Sequence, residues 1–264
     1  PTRRNPWRCS GRFVIDSAPD ESRRYLVHHA RPHARIAAPM RLCIIPARGG
    51  SKRFPRKNLA LFEGVPLLVR TIHTAQATGL FDRIIVSTED PEIAQVARGA
   101  GAELHERDPA LATDSARLAD VCFAVLDGAG AEMFCLLLPT APFRTPEHVK
   151  ESYARLELAG KPNGAMSLSE FPHVPAWAVY EDVHGYVALQ WGKRWLQSRD
   201  QLPRFYRHNG VVLWMRVGAF RANGFYGPRT APYYMAPEES VDIDTPLDLE
   251  FAEFLSERRR RENA

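Results

Sequence analysis

The stretch Arg41-Leu42-Cys43-Ile44-Ile45-Pro46-Ala47-Arg48-Gly49-Gly50-Ser51-Lys52 begins as an apolar run and, past Pro46, turns into a basic loop with paired glycines. A short apolar run closed by a breaker reads as a strand buried on both faces. Arg83-Ile84-Ile85-Val86-Ser87 repeats that pattern. Residues 66–78 and 91–99 carry apolar side chains at helical spacing, the second opening on Pro91 after Asp90. Ala102-Glu103-Leu104-His105 predicts a short strand, and Asp114 is expected to cap a helix running to about Gly128. Met133-Phe134-Cys135-Leu136-Leu137-Leu138 predicts a strand stopped by Pro139, followed by a helix from about Pro146 to Leu158. Strands alternating with helices of this length define an α/β fold with a mainly parallel sheet and helices on both faces.

The rhythm breaks at residues 166–206, where Phe171, Trp177, Tyr180, Tyr186, Trp191, Trp195, Phe205 and Tyr206 crowd a turn-rich segment. An inserted β-rich region is expected there, with Trp177, Trp191 and Trp195 packing within it. The α/β pattern resumes at Gly210-Val211-Val212-Leu213-Trp214-Met215. A last helix is expected from Pro246 to Arg258-Arg259-Arg260-Arg261, whose charges suit a solvated helix end.

The 264 residues, 45% of them hydrophobic, suffice for a full core, and no stretch reaches the roughly 18 to 20 apolar residues of a membrane span. The net charge of +4 would fit a nucleic-acid binder. Residues 1–39 alone hold eight arginines against three acids, a charge of +5, which leaves the chain from Met40 onward with 27 basic and 28 acidic residues, or −1. The basicity belongs to this extension, which has no secretory h-region and is expected to lie outside the native protein and outside the fold. Cys9, Cys43, Cys122 and Cys135 form no C-x-x-C pair, so neither a zinc site nor a disulfide framework is indicated, and a reducing cytoplasmic setting is expected.

In an α/β sheet, ligands bind beyond the carboxyl ends of the strands, where the loop from Ala47 to Asn58 falls. Gly49 and Gly50 would let backbone amides approach a phosphate, and Arg48, Lys52 and Lys57 would neutralise a polyanion. The loop is neither a P-loop nor a G-x-G-x-x-G dinucleotide turn. A second constellation, Ser240-Val241-Asp242-Ile243-Asp244-Thr245-Pro246, places two carboxylates at alternate positions, which project to one side of an extended chain. Such a pair repels itself unless a cation intervenes, and oxygen-only ligation suits Mg²⁺, or Mn²⁺ in its place. The competing expectation is that Asp244 caps the final helix.

Together, A-R-G-G-S-K-x-x-P-x-K-N and S-x-D-I-D-T resemble the acylneuraminate cytidylyltransferases, which make CMP-activated sialic acids and related nonulosonates. Arg107-Asp108-Pro109-Ala110-Leu111-Ala112-Thr113-Asp114, Leu138-Pro139-Thr140-Ala141-Pro142-Phe143-Arg144 and the segment Gln201–Gly210 add to the resemblance, which spans Met40 to about Leu255. It implies a three-layer Rossmann-like nucleotidyltransferase fold whose insert is a dimerisation subdomain, and a homodimer in which Arg199 acts on the partner's site. It also implies CTP and a nonulosonic acid as substrates, with no nucleic-acid or membrane partner. By the same resemblance Arg48, Lys52 and Lys57 bind the phosphates, with Ser51 and Asn58 in the same loop, and Arg107 helps hold the cytidine. With the backbone of Gly49 and Gly50 these form the expected nucleotide site, in which Arg48, Lys57, Asp242 and Asp244 are expected to be catalytic. Pro139, Thr140, Ala141, Arg199, Arg207 and Asn209 meet the sugar, and Asp242 and Asp244 bind the metal.

Leu138 stands where sialic acid enzymes of the family often carry a glutamine, and Gly49-Gly50 replace bulkier polar residues of some members. Both departures bear on which sugar is used. Two alternatives stand beside this reading. One is a cytidylyltransferase for the eight-carbon sugar KDO, whose loop usually has an aromatic after the arginine. The other is a nucleic-acid-binding module acting through the Arg-rich extension.

Overall fold

The computed structural model describes residues 39–158, 160–193 and 196–262. The Arg-rich extension, with Cys9, lies outside them apart from its last residue, and so does Trp195.

The elements are β1 (Arg41–Pro46), β2 (Leu61–Phe62), β3 (Val65–Pro66), α1 (Leu67–Thr78), β4 (Arg83–Thr88), α2 (Pro91–Gly99), β5 (Glu103–Glu106) and α3 (Leu118–Leu126). They continue with β6 (Met133–Leu136), α4 (Pro146–Ala154), β7 (Gly164–Glu170), β8 (Val179–Glu181), β9 (Val187–Leu189), β10 (Tyr206–Arg216), α5 (Val217–Asn223), β11 (Thr230–Tyr234) and α6 (Pro246–Glu262). Seven strands form one sheet in the order β11-β7-β10-β6-β1-β4-β5. Every neighbouring pair is parallel except those made by β10, which runs against both β6 and β7.

Strand alternation divides the core into two layers. Cys43, Ile45, Val86, Cys135 and Trp214 face Leu68 and Ile72 of α1, Ile93 and Ala97 of α2 and Val149 of α4. Leu42, Ile44, Ile85, Phe134, Leu136 and Leu213 face Cys122 and Val125 of α3 and Phe220 of α5. Helices on both faces make the three layers expected. The helix α6 packs separately, with Ala252 and Leu255 against Phe62, Leu67, Phe143 and Ile243.

Local chemistry sets the boundaries. Asp90 caps α2 by accepting the amides of Glu92 and Ile93, both at 3.0 Å, ahead of Pro91. Thr145 and His148 close a capping box on α4. Two expectations are corrected. Asp114 does not cap α3, which starts four residues later at Leu118 behind Arg117; its carboxylate is taken by Arg48 and Lys52. Asp244 does not cap α6 either: Asp248 accepts the amides of Asp244 (3.0 Å) and Thr245 (2.7 Å), and Thr245 Oγ1 accepts that of Asp248.

The aromatic segment begins inside the central sheet, because β7 runs to Glu170, and only the residues between β7 and β10 leave it. They carry the separate hairpin of β8 and β9. Chain order sets the site: from β1 the chain builds β4 and β5 on one side, then crosses to place β6 on the other. A crevice opens at the carboxyl ends of strands where the order reverses in this way.

Candidate active site

That crevice has a volume of about 300 Å³ and is lined by Pro46, Arg48, Ser51, Lys57, Asn58 and Arg107 on one side. Leu138, Pro139, Thr140, Asp242 and Asp244 line the other, with Leu111, Leu118 and Val121 as an apolar wall. The loop after β1 is held by its own polar groups: Asn58, buried, donates to Arg48 O at 2.9 Å, and the Gly49 amide donates to Glu89 Oε1 at 2.7 Å. The Gly49 amide is thus already committed to a carboxylate. Its glycine is required on steric grounds, since a Cβ there would lie 2.9 Å from Asp90 Cβ; at Gly50 a Cβ would meet nothing.

The loop cations are paired with acids. Arg48 donates to Thr113 O at 3.0 Å and meets Asp114 at 3.0 Å, where Lys52 also arrives at 2.6 Å. Arg56 bridges Asp90 and Glu92 from a left-handed backbone, φ 59°. Lys57, its side chain 15% exposed, reaches Asp244 Oδ1 at 2.6 Å, and Arg53 reaches the other oxygen at 2.7 Å.

Val241 and Ile243 are buried while Asp242 and Asp244 face the crevice, the alternation the sequence predicts, although residues 241–244 belong to no strand. The two carboxylates differ electrostatically. At Asp242, withdrawal from water raises the pKa; a hydrogen bond from Thr140 opposes this, Asp244 adds to it, and Lys57 and Arg207 pull the other way without prevailing. At Asp244 burial also works against ionisation, but Lys57 and Arg53 outweigh it and hold the group below the usual aspartate range. An unbalanced negative charge therefore sits at Asp242. The pair fits a hard divalent cation, which takes one or two carboxylates and completes its shell with water and phosphate. Among the described residues there is no group of three or more His, Cys, Asp or Glu placed to hold a metal.

Arg107, buried, donates to Ser87 O at 2.6 Å and Ser87 Oγ at 3.2 Å, and burial lowers its pKa. Asn209, also buried, accepts from Ser167 Oγ and donates to Ser240 Oγ at 2.8 Å, while Arg207 donates to Ser240 O at 3.1 Å. These two residues grip the segment leading to Asp242 without lining the crevice. Lys52, Gly49, Gly50 and the buried Ala141 also lie off its lining. Arg199 lies elsewhere in this chain, in a cavity of about 500 Å³ with Phe171, His173 and Arg204, where it pairs with Glu170 at 3.2 Å. Trp177 and Trp191 are 42% and 55% exposed, so the insert does not bury them as expected.

Sequence reasoning missed Asp114 and Glu89 as acidic partners of the basic loop, and Arg53 as the second cation on Asp244. The motif around Thr113-Asp114 was the available signal.

The same architecture occurs in a CMP:2-keto-3-deoxy-manno-octonic acid synthetase solved with CTP, with a TM-score of 0.62 and 17% identity, covering 83% of this chain and 99% of that one. It occurs again in the 4-diphosphocytidyl-2C-methyl-D-erythritol synthase of Anaerococcus prevotii, with a TM-score of 0.56 and 14% identity over the same shares. The fold is that of the Rossmann-like nucleotidyltransferases. Within that class the chain belongs to the cytidylyltransferase family, whose model matches residues 42–264. It is 31% identical to a pseudaminic acid cytidylyltransferase of Campylobacter jejuni over 81% of this chain and 95% of that one. It is 33% identical to a CMP-N,N'-diacetyllegionaminic acid synthase of Legionella pneumophila over 82% and 96%. An N-acylneuraminate cytidylyltransferase of Streptococcus agalactiae is 31% identical over 78% of this chain and 51% of its own length.

Proposed function

We propose that the protein transfers CMP from CTP to the anomeric hydroxyl of a nine-carbon 2-keto sugar acid, of the sialic, legionaminic or pseudaminic type, with release of pyrophosphate. The observation that carries this reading is that Arg48 and Lys57 share one switch-point crevice with Asp242 and Asp244. In the free protein these cations rest on Asp114 and Asp244. CTP entering the crevice exchanges those carboxylates for its phosphates, while Leu111, Leu118 and Val121 beside Arg107 receive the base.

The anomeric oxygen attacks the α-phosphorus in line. A P–O bond to the sugar forms, the bond from the α-phosphorus to the bridging oxygen breaks, pyrophosphate leaves on the opposite side, and the hydroxyl proton passes to solvent. The chain contributes orientation, and Lys57 and Arg48 stabilise charge developing on the α-phosphate and leaving group. Asp242 and Asp244 would hold Mg²⁺, or Mn²⁺, which when bound draws charge from the phosphates and lowers the pKa of the attacking hydroxyl.

Leu138 lies on the crevice wall, its Cδ1 3.2 Å from where a Cβ on Gly210 would stand. An apolar wall there favours a sugar with acylated amines and fewer hydroxyls, and supports legionaminate or pseudaminate over sialic acid. The working form is a cytoplasmic homodimer: Val179, Tyr180, Tyr186 and Val187 are all at least half exposed on the β8–β9 hairpin, and a second copy is the occupant that would bring Arg199 to a crevice. Light scattering tests the dimer. Nucleotide choice tests the crevice: with a nonulosonate mixture and Mg²⁺, pyrophosphate release is expected from CTP and not from ATP, GTP or UTP, and equal release from all four would overturn the assignment.

A further inference from the structure

One buried cation takes no part in the chemistry above. Arg144 is 5% exposed, and no carboxylate pairs with it among the described residues. Burial lowers its pKa to about 10, so it stays charged at neutral pH. Its Nη1 donates to Leu138 O and to Val211 O, both at 2.9 Å, and its Nη2 to Thr71 Oγ1 at 2.7 Å. Thr71 in turn donates to Leu67 O at 2.9 Å, which leaves its oxygen free to accept.

The two carbonyls matter because of where they stand. Pairing between β6 and β10 ends at Leu136 with Leu213. Beyond that point the strands part, β10 carries an irregularity between His208 and Leu213, and Gly210 turns at φ 73°. Leu138 and Val211 would face each other across the gap with no backbone donor, and a buried carbonyl left so is costly. Both carbonyls are served by Nη1, and Thr71 holds Nη2 of the same planar fork, which fixes the orientation of Nη1 as a freely rotating ammonium would not be fixed.

Each side of the gap grips the segment that carries the candidate metal ligands. From the β6 side, Thr140 O accepts the Ile243 amide at 2.9 Å and the Thr140 side chain bonds Asp242. From the β10 side, Asn209 accepts the Val211 amide at 3.2 Å and holds Ser240. We infer that Arg144 is a positioning residue: by bridging Leu138 O and Val211 O it fixes the spacing between these two grips, and so the placement of Asp242 and Asp244 opposite Arg48 and Lys57. Its catalytic consequence rests on the proposed transfer reaction; its structural consequence does not.

The test joins hydrogen exchange with kinetics on Arg144→Lys and Thr71→Val. In Arg144→Lys, which keeps the charge and loses the fork, exchange at the Ile243 amide is expected to accelerate at least tenfold while β1 and β4 keep their protection. The kcat should fall about 10²-fold, as for a reacting group displaced by an ångström, with KM for CTP within threefold. Thr71→Val, which removes only one acceptor, should accelerate exchange at Ile243 by less and serves if Arg144→Lys does not fold. Unchanged Ile243 exchange in the folded variants would overturn the inference, as would equal loss of protection across the whole sheet, which marks general support of the fold. If the wild type turns over no sugar, the reading of the reaction fails, and the exchange data still judge Arg144.

Discussion

Lys57 Nζ lies 2.6 Å from Asp244 Oδ1, joining the loop after β1 to the segment before α6 across 187 residues of chain. The contact seats a mostly buried cation in the crevice, at the place where the proposed reaction puts the α-phosphate. Replacing Lys57 by alanine removes a charge-stabilising donor, and kcat should fall by about 10² to 10³-fold. Steady-state kinetics at saturating CTP check this; activity within a few-fold of wild type would remove Lys57 from the mechanism.

Asp242 predicts an opposition between stability and activity. Its pKa is raised in the folded state. Below the ordinary aspartate range both folded and unfolded forms are protonated and nothing is lost. As pH rises, the unfolded form releases its proton first, and once both forms are ionised the folded state carries a penalty that water reduces, because Asp242 is exposed in the crevice. Asp242→Asn should therefore raise Tm slightly at pH 7 to 8, with the gain vanishing on acidification to about pH 3, while turnover drops sharply. Calorimetry across pH tests the sign, and a lower Tm at neutral pH would contradict it.

Gly49 and Gly50 are adjacent and predict different outcomes. A Cβ at Gly49 runs into Asp90, so Gly49→Ala should cost about 1 to 3 kcal/mol as an overpacking change. Gly50→Ala meets no neighbour and should stay within about 0.5 kcal/mol. Denaturant melts of the two variants decide it.

The Asn209 side chain joins Ser167, Val211 and Ser240. Asn209→Ala leaves these buried groups short of partners and should cost about 1 to 3 kcal/mol. At roughly 2 to 4 °C per kcal/mol for a chain of this size, thermal melts will register it.

The β-α alternation, the basic loop and the acid pair were legible because each is a local pattern, a run of apolar residues or a spacing of two. What was hidden depends on distant partners. Glu89 meets Gly49 across 40 residues, and nothing near Glu89 announces that. The start of α3 is not where Asp114 suggests: Asp114 has the chemistry of a cap, but Arg48 and Lys52 hold its carboxylate away from the helix. The strand β10 begins earlier than its apolar run because Arg207 and Asn209 find buried partners at Ser240, so polar residues there do not mark a loop. Arg144 was visible as part of a motif, but its inward role depends on where β6 and β10 diverge.

The proposed reaction is CMP transfer to a nonulosonate at the crevice between Lys57 and Asp242. Pyrophosphate release with CTP and Mg²⁺ across sialic, legionaminic, pseudaminic and KDO acceptors tests it most directly. Release is expected with the nine-carbon acids, greatest for legionaminate or pseudaminate, together with a CMP-sugar product. No release with any nonulosonate, or release with KDO alone, would contradict it.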